Sequence, residues 1–115
     1  MVGTVSSFMI TVRKGDSFDI VFQMKADGMP MDLTDCEVKM NVKDGDFLKF
    51  TKKGEIFEPE NGKFRIKLTP KETNIAVGEY KTDVQIKLKN GDIHTIYPED
   101  VNRVAVFRVT ADVTE

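Results

Sequence analysis

From Gly78 to Tyr97 apolar and polar side chains alternate with a period of two. Tyr80, Thr82, Val84, Ile86 and Leu88 take one parity, and Lys81, Asp83, Gln85, Lys87 and Lys89 take the other. A strand with one buried and one wet face has that period. Asn90-Gly91 follows, a dipeptide that accepts positive φ and so predicts a type I′ turn. Ile93 to Tyr97 predicts the returning strand. A long hairpin must cover its apolar face with further strands.

The remaining segments supply them. Phe8, Ile10 and Val12 predict an inward set, closed by the turn residues Lys14-Gly15-Asp16. Phe18, Ile20, Phe22 and Met24 predict the next. Asp27-Gly28 with Pro30 breaks that strand, because proline has no N–H to give a ladder. Leu33 is expected to plug the core from a connector. Cys36, Val38, Met40 and Val42 form the following inward set, and Asp44-Gly45-Asp46 turns the chain. A short strand from Phe47 to Thr51 is expected to bury Phe47 and either Leu48 or Phe50.

Asn61-Gly62 is a second hairpin signal and leads into Phe64, Ile66 and Leu68. Thr69-Pro70-Lys71-Glu72 then reads as a cap, a proline at the first helical position and a first-turn acid. A short connecting helix near 70–76 is therefore predicted, stopped by Gly78 and carrying Ile75 and Val77 onto the core. After a polar loop from Pro98 to Arg103, Val104, Val106 and Arg108 alternate with Ala105, Phe107 and Val109. Both parities hold apolar residues. Either one face meets a partner, or the strand is buried on both sides. Seven or eight short strands with evenly spaced turn signals predict an all-β sandwich.

At 115 residues the chain has the length of one domain, here 1–115, with 1–6 and 111–115 expected to be loose. Seventeen basic residues against nineteen acidic ones give a net charge of −2, without the basic excess of a nucleic-acid binder. The single cysteine, Cys36, excludes an internal disulfide. Met1 to Ser7 has neither the positive nor the apolar region of a secretory signal. No apolar run reaches the roughly 20 residues of a membrane helix.

Catalytic chemistry finds little support. His94 is the one histidine, and it has outward parity if Ile93 points inward. Cys36 has inward parity, where a thiolate is disfavoured. The two are therefore not expected to meet. Asp44, Asp46, Glu55, Glu58 and Glu60 sit at turns, which favour such residues for backbone reasons. Asp44-Gly45-Asp46 lacks the spacing of a complete calcium loop. No glycine-rich phosphate cradle precedes a helix. No catalytic residue, metal or cofactor is assigned. Phe47 and Phe50 among Lys49, Lys52 and Lys53 make one mixed patch, which fits an edge strand guarded by lysines.

Several segments recur in a recognisable order. They are Lys14-Gly15-Asp16-Ser17-Phe18, then Asp27-Gly28-Met29-Pro30-Met31-Asp32-Leu33-Thr34, then Leu68-Thr69-Pro70-Lys71-Glu72-Thr73, then Val77-Gly78-Glu79-Tyr80 and the Asn-Gly hairpin. Together, from about Thr11 to Val109, they resemble the N-terminal domain of phage baseplate upper proteins and related domains of phage tail and head-fibre proteins. The resemblance implies an immunoglobulin-like antiparallel β-sandwich. It implies a non-enzymatic virion structural module that anchors a fibre or receptor-binding part to a tail baseplate or capsid. Its partners would be other virion proteins, with no nucleic acid and no membrane, in a homo-oligomer made in the host cytoplasm. Larger baseplate proteins of this kind continue into a coiled coil and a fibre domain.

The expected interaction face is carried by Val104, Val106, Arg108, Phe47 and Phe50. The alternative is a carbohydrate- or receptor-binding sandwich. Such sites need exposed aromatic platforms, and the chain has no tryptophan and two tyrosines, Tyr80 and Tyr97.

Overall fold

A computed structural model of the chain describes residues 4–6, 8–98 and 102–111. In chain order the strands are β1 (Thr4–Val5), β2 (Met9–Arg13), β3 (Phe18–Gln23), β4 (Lys25–Ala26), β5 (Met29–Pro30), β6 (Glu37–Asp44), β7 (Phe47–Lys53), β8 (Glu55–Glu58), β9 (Lys63–Leu68), β10 (Gly78–Lys87), β11 (Ile93–Tyr97) and β12 (Ala105–Thr110). A 3-10 turn at Pro59–Asn61 joins β8 to β9, and a helix α1 at Pro70–Thr73 follows β9. The count exceeds the expected seven or eight because β1, β4 and β5 are two-residue strands with no alternation to read, and β8 has only four residues.

The strands form two layers. The larger sheet has the order β1-β2-β12-β10-β6-β7, with β11 added beside β10. The smaller has the order β3-β9-β8. These are the two sheets of an immunoglobulin-like sandwich. One pairing departs from the antiparallel expectation: β12 runs parallel to β2, from Val106 beside Met9 to Thr110 beside Arg13.

Inward-facing residues of both sheets fill the space between them. Ile10, Val12, Met40, Val84 and Phe107 from the large sheet meet Phe18, Phe64, Ile66 and Leu68 from the small one, and Leu33 seals the core as predicted. Phe22 stacks on Phe64 with centroids 4.9 Å apart. Burying each of the larger side chains is worth roughly 1.5–3 kcal/mol. Tyr80 enters this core near the start of β10, and its hydroxyl donates back to the Ala76 carbonyl at 2.5 Å. That is the tyrosine corner of immunoglobulin-like folds.

Close backbone approach explains two glycines. Gly54 lies alone between β7 and β8, where the chain leaves one sheet for the other, and a Cβ there would strike the Val38 side chain. Gly62 has φ 68°, and a Cβ there would meet the Met24 carbonyl and lie 2.8 Å from the Met31 carbonyl. Its own carbonyl accepts from the Met24 amide at 2.8 Å, tying two loops together.

The turns differ from expectation in type. Asn90-Gly91 does not form a type I′ turn, because Gly91 alone has positive φ. The Gly91 amide donates to the Leu88 carbonyl and the Leu88 amide to the Asp92 carbonyl, a three-residue loop ending in a glycine bulge. Asp27-Gly28 has positive φ at both positions, so the type I′ pattern falls there, between β4 and β5. Pro30 thus ends a tiny hairpin.

The helix is shorter than predicted, ending at Thr73. Its start is a full capping box. The Glu72 amide donates to Thr69 Oγ1 at 3.3 Å, and the Thr69 amide donates to Glu72 Oε1 at 2.8 Å. Ile75 packs on the core, whereas Val77 is exposed because the chain there is already turning into β10. Phe47, expected inside, is 81% exposed at the tip of the β6–β7 hairpin. The ends expected to be loose lie largely outside the described residues, at 1–3 and 112–115; Thr4 and Val5 pair with β2.

Lys52 reaches from β7 to Glu72 of α1, with Nζ 3.0 Å from Oε1. Burial works to raise the Glu72 carboxyl. The Thr69 amide, the Lys52 ammonium and the Thr69 hydroxyl outweigh it and hold the group below its ordinary value of 4.5. A depressed carboxylate stabilises the fold above its unfolded value, and that contribution fades as pH falls through the folded value. The stability gap between the wild type and Glu72→Gln, measured by urea unfolding, is expected near neutrality and shrinks once pH drops below 4.5. A gap that widens in acid would refute the assignment. Gly62→Ala is expected to lower the unfolding free energy by about 2–4 kcal/mol in the same assay, from left-handed strain plus the backbone clash.

Candidate interaction face

The outer face of the large sheet is the broad surface that the small sheet leaves uncovered. Its composition follows from register, because directly paired residues share a face. Lys81 stands opposite Lys43, Asp83 opposite Asn41, Gln85 opposite Lys39 and Lys87 opposite Glu37. Across the next pairing, Lys39 stands opposite Lys53 and Asn41 opposite Thr51. On the other side of β10, Glu79 faces Arg108 and Lys81 faces Val106.

A polar row runs through the middle of this face. Asn41 Nδ2 donates to Asp83 Oδ1 at 2.9 Å, and Thr51 Oγ1 donates to Asn41 Oδ1 at 2.9 Å. Each group has its partner, so the row is rigid. To either side lie lysines. Lys53 makes a loose contact of 3.7 Å with Glu37, while Lys39, Lys43, Lys81 and Lys87 make no ion pair among the described residues. Like charges directly opposite each other in a sheet are destabilising, and here two such lysine pairs flank the polar row, one on each side.

The face is not flat. An open hollow of about 370 Å³ lies over β6, β7, β10 and β11, lined by Glu37, Lys39, Lys53, Gln85, Lys87 and Ile93. A smaller one of about 140 Å³ is lined by Lys43, Lys81, Asp83 and Val104 among others. The outward parity of His94 was conditional on Ile93 pointing inward; instead Ile93 pairs with Lys87 on this outer side and is exposed, and His94 pairs with Ile86. The bulge between Val84 and Gln85 shifts the β10–β11 register, so β11 contributes Tyr97 to the core rather than Ile93.

The five residues expected to form one face divide. Val104 is 62% exposed at the smaller hollow, and Val106 and Arg108 point outward from β12. These three are brought together. Phe50 points the other way, half-buried, with its ring edge-on to Phe107 at 6.2 Å. Phe47 stands apart at the hairpin tip. Strand β12 lies between β2 and β10 yet is buried on one side only, so its outer apolar residue Val106 is left on the surface. The lysines opposite one another were the missed component. Each shows in the sequence as a polar parity position, but which lysine faces which is a property of register.

Other candidate groups are accounted for locally. Arg65 lies 3.7 Å from Glu55 and 3.9 Å from Asp19, and its guanidinium covers the Phe57 ring at 4.6 Å. Glu58 accepts from Asn61 at 3.0 Å. Cys36 is half-buried just before β6, and His94 is exposed in β11. Among the described residues no three His, Cys, Asp or Glu side chains are placed to hold a metal ion. Nor does any described helix have the length and apolarity to cross a membrane. Both tyrosines are buried. Tyr97 donates to the Ser6 carbonyl at 2.9 Å, and burial pushes its hydroxyl up to about 12. Neither ring is offered as a sugar platform.

Comparison with known proteins agrees with this architecture. Residues 3–97 match the family described as the BppU N-terminal domain. Among solved structures, the N-terminal domain of phage TP901-1 ORF48 shares the fold, with a TM-score of 0.53 and 14% identity, covering 96% of each chain. No curated protein matches.

Relieving one lysine pair tests the electrostatics of the face. Lys81→Gln is expected to stabilise the fold by about 0.3–0.5 kcal/mol in urea unfolding at low salt. Added salt should erase most of that gain. A loss of stability instead would mean that Lys81 has a compensating partner.

Proposed function

The chain belongs to the BppU N-terminal domain family, that of phage baseplate upper proteins, and from that premise we propose that it is a non-enzymatic attachment module of a phage tail. In this reading the sandwich is a rigid block that links a fibre or receptor-binding part to the baseplate, as one unit of a homo-oligomer. The family is a structural baseplate family, which places the protein in the virion. The family favours the baseplate over the capsid as the point of attachment.

The observation that carries the proposal is the outer face of the large sheet. It is broad, held by a satisfied polar row, and furnished with exposed Val104 and Ile93 and half-buried Val106 among unpaired lysines. A domain that had only to be soluble gains nothing from opposed lysines beside the exposed Val104. Docking faces combine such apolar patches with a charged surround. The carbohydrate-reading alternative draws no support from Tyr80 and Tyr97, whose rings are in the core.

Immunogold labelling of purified virions with an antibody to this domain is expected to mark the distal end of the tail. Label confined to the capsid, or absent from intact particles, would overturn the reading. Val106→Asp with Arg108→Glu is expected to leave the thermal unfolding of the purified domain within a few degrees of wild type while cutting incorporation into tails.

A further inference from the structure

The charge of the molecule is unevenly laid out. On the outward positions of β6, β7, β10 and β12, the cations Lys39, Lys43, Lys53, Lys81, Lys87 and Arg108 face only Glu37, Glu79 and Asp83. This face is positive in a chain whose net charge is −2. A local excess of acids, five against two lysines, lies at one end of the sandwich. There the loops 24–36, 59–62 and 88–92 come together. The Leu33 amide donates to the Pro59 carbonyl at 2.8 Å, the Met24 amide to the Gly62 carbonyl at 2.8 Å, and Lys89 lies 3.7 Å from Asp35. These loops carry Asp27, Asp32, Asp35, Glu60 and Asp92 against Lys25 and Lys89. Met29, 69% exposed, stands at the β4–β5 tip among them.

We propose that the outer face of the large sheet receives the acidic loop end of a second copy of this chain. The contact is heterologous, end to face. Charge decides between this and the symmetric alternative. Two copies meeting face to face would set the unpaired lysines of one against those of the other, and like-charge juxtaposition of that kind opposes association. The loop end offers the opposite sign, and Met29 offers an apolar tip for the surface that carries Val104 and Ile93. A contact between unlike surfaces leaves one of each unused on every pair, so it propagates into a ring or a row. This inference deepens the homo-oligomeric part of the attachment reading and rests on it.

The test uses the wild-type protein and two charge-reversed forms in sedimentation equilibrium. One carries Lys43→Glu and Lys81→Glu on the face. The other carries Glu60→Lys and Asp92→Lys on the loop end. Wild type is expected to associate beyond a monomer at low salt and to dissociate as salt rises. Each reversed form alone is expected to associate at least about tenfold more weakly, because its two contact surfaces now have the same sign. An equimolar mixture is expected to recover association, since each surface of one form then complements a surface of the other. Thermal unfolding followed by circular dichroism confirms that both forms are folded.

A wild type that stays monomeric at low salt overturns the proposal. So does association that both reversals leave unchanged, or a mixture that remains monomeric. Retention of a duplex DNA oligonucleotide by wild type, lost in the face-reversed form while self-association persists, would also overturn it and reassign the face to a polyanion. A monomer in solution that is nonetheless labelled at the tail tip would remove the self-contact and leave the attachment reading standing.

Discussion

Strand β10 uses both of its edges, and the large sheet depends on it. Along one edge it pairs with β6 from Lys81 to Lys87. Along the other its first half pairs with β12, from Gly78 to Thr82, and its second half with β11, from Val84 to Lys87. A buried backbone group without a partner costs about as much as a lost hydrogen bond, so a strand this long needs both neighbours on that side. One neighbour hands over to the other at Asp83, just before the bulge at Val84 and Gln85 within the β11 pairing. Tyr80 fixes where the strand begins, by tying its ring to the backbone four residues upstream.

The same alternation that buries Tyr80, Thr82, Val84 and Ile86 sends Lys81, Asp83, Gln85 and Lys87 outward. Core and outer surface are therefore two sides of one strand and cannot vary in register independently. A slip of one residue would put lysines in the core. The inner side is tightly specified by packing. The outer side is free to carry charge that packing does not need, and it is there that the molecule departs from local optimum, with lysine set against lysine. Departures of that kind are expected where a surface serves something other than stability.

Long half-buried strands were the legible part of the chain. Phe18, Ile20, Phe64, Ile66, Leu68 and the β10 set all face inward as their parity indicates, and Thr69 to Glu72 caps a helix as its residue types indicate. Position within a strand did not by itself reveal depth. Phe47, Val77 and Ile93 have the side chains of core residues but lie at a hairpin tip, a strand entry and a shifted register, where no second layer covers them. Turn types were legible only as turns, because Asn-Gly and Asp-Gly both tolerate positive φ and the flanking strands decide which is used. The family was legible from an ordered set of short segments. The five residues expected to share one face do not all do so: Val104, Val106 and Arg108 lie on one surface, whereas Phe50 serves the core.

The parallel pairing of β2 with β12 closes the large sheet with residues nearly a chain length apart; Thr110 Oγ1 donates to the Val12 carbonyl across 98 positions. During vectorial synthesis, every strand up to β11 emerges from the ribosome before the one that completes the edge of β10 and shelters β2. Until then Ile10 and Val12 have no neighbour on that side. Folding that waits on so remote a segment is slow and leaves open edges exposed to other nascent chains. The order in which this polypeptide is made thus sets when its sandwich can shut, and that moment comes only once β12 has emerged.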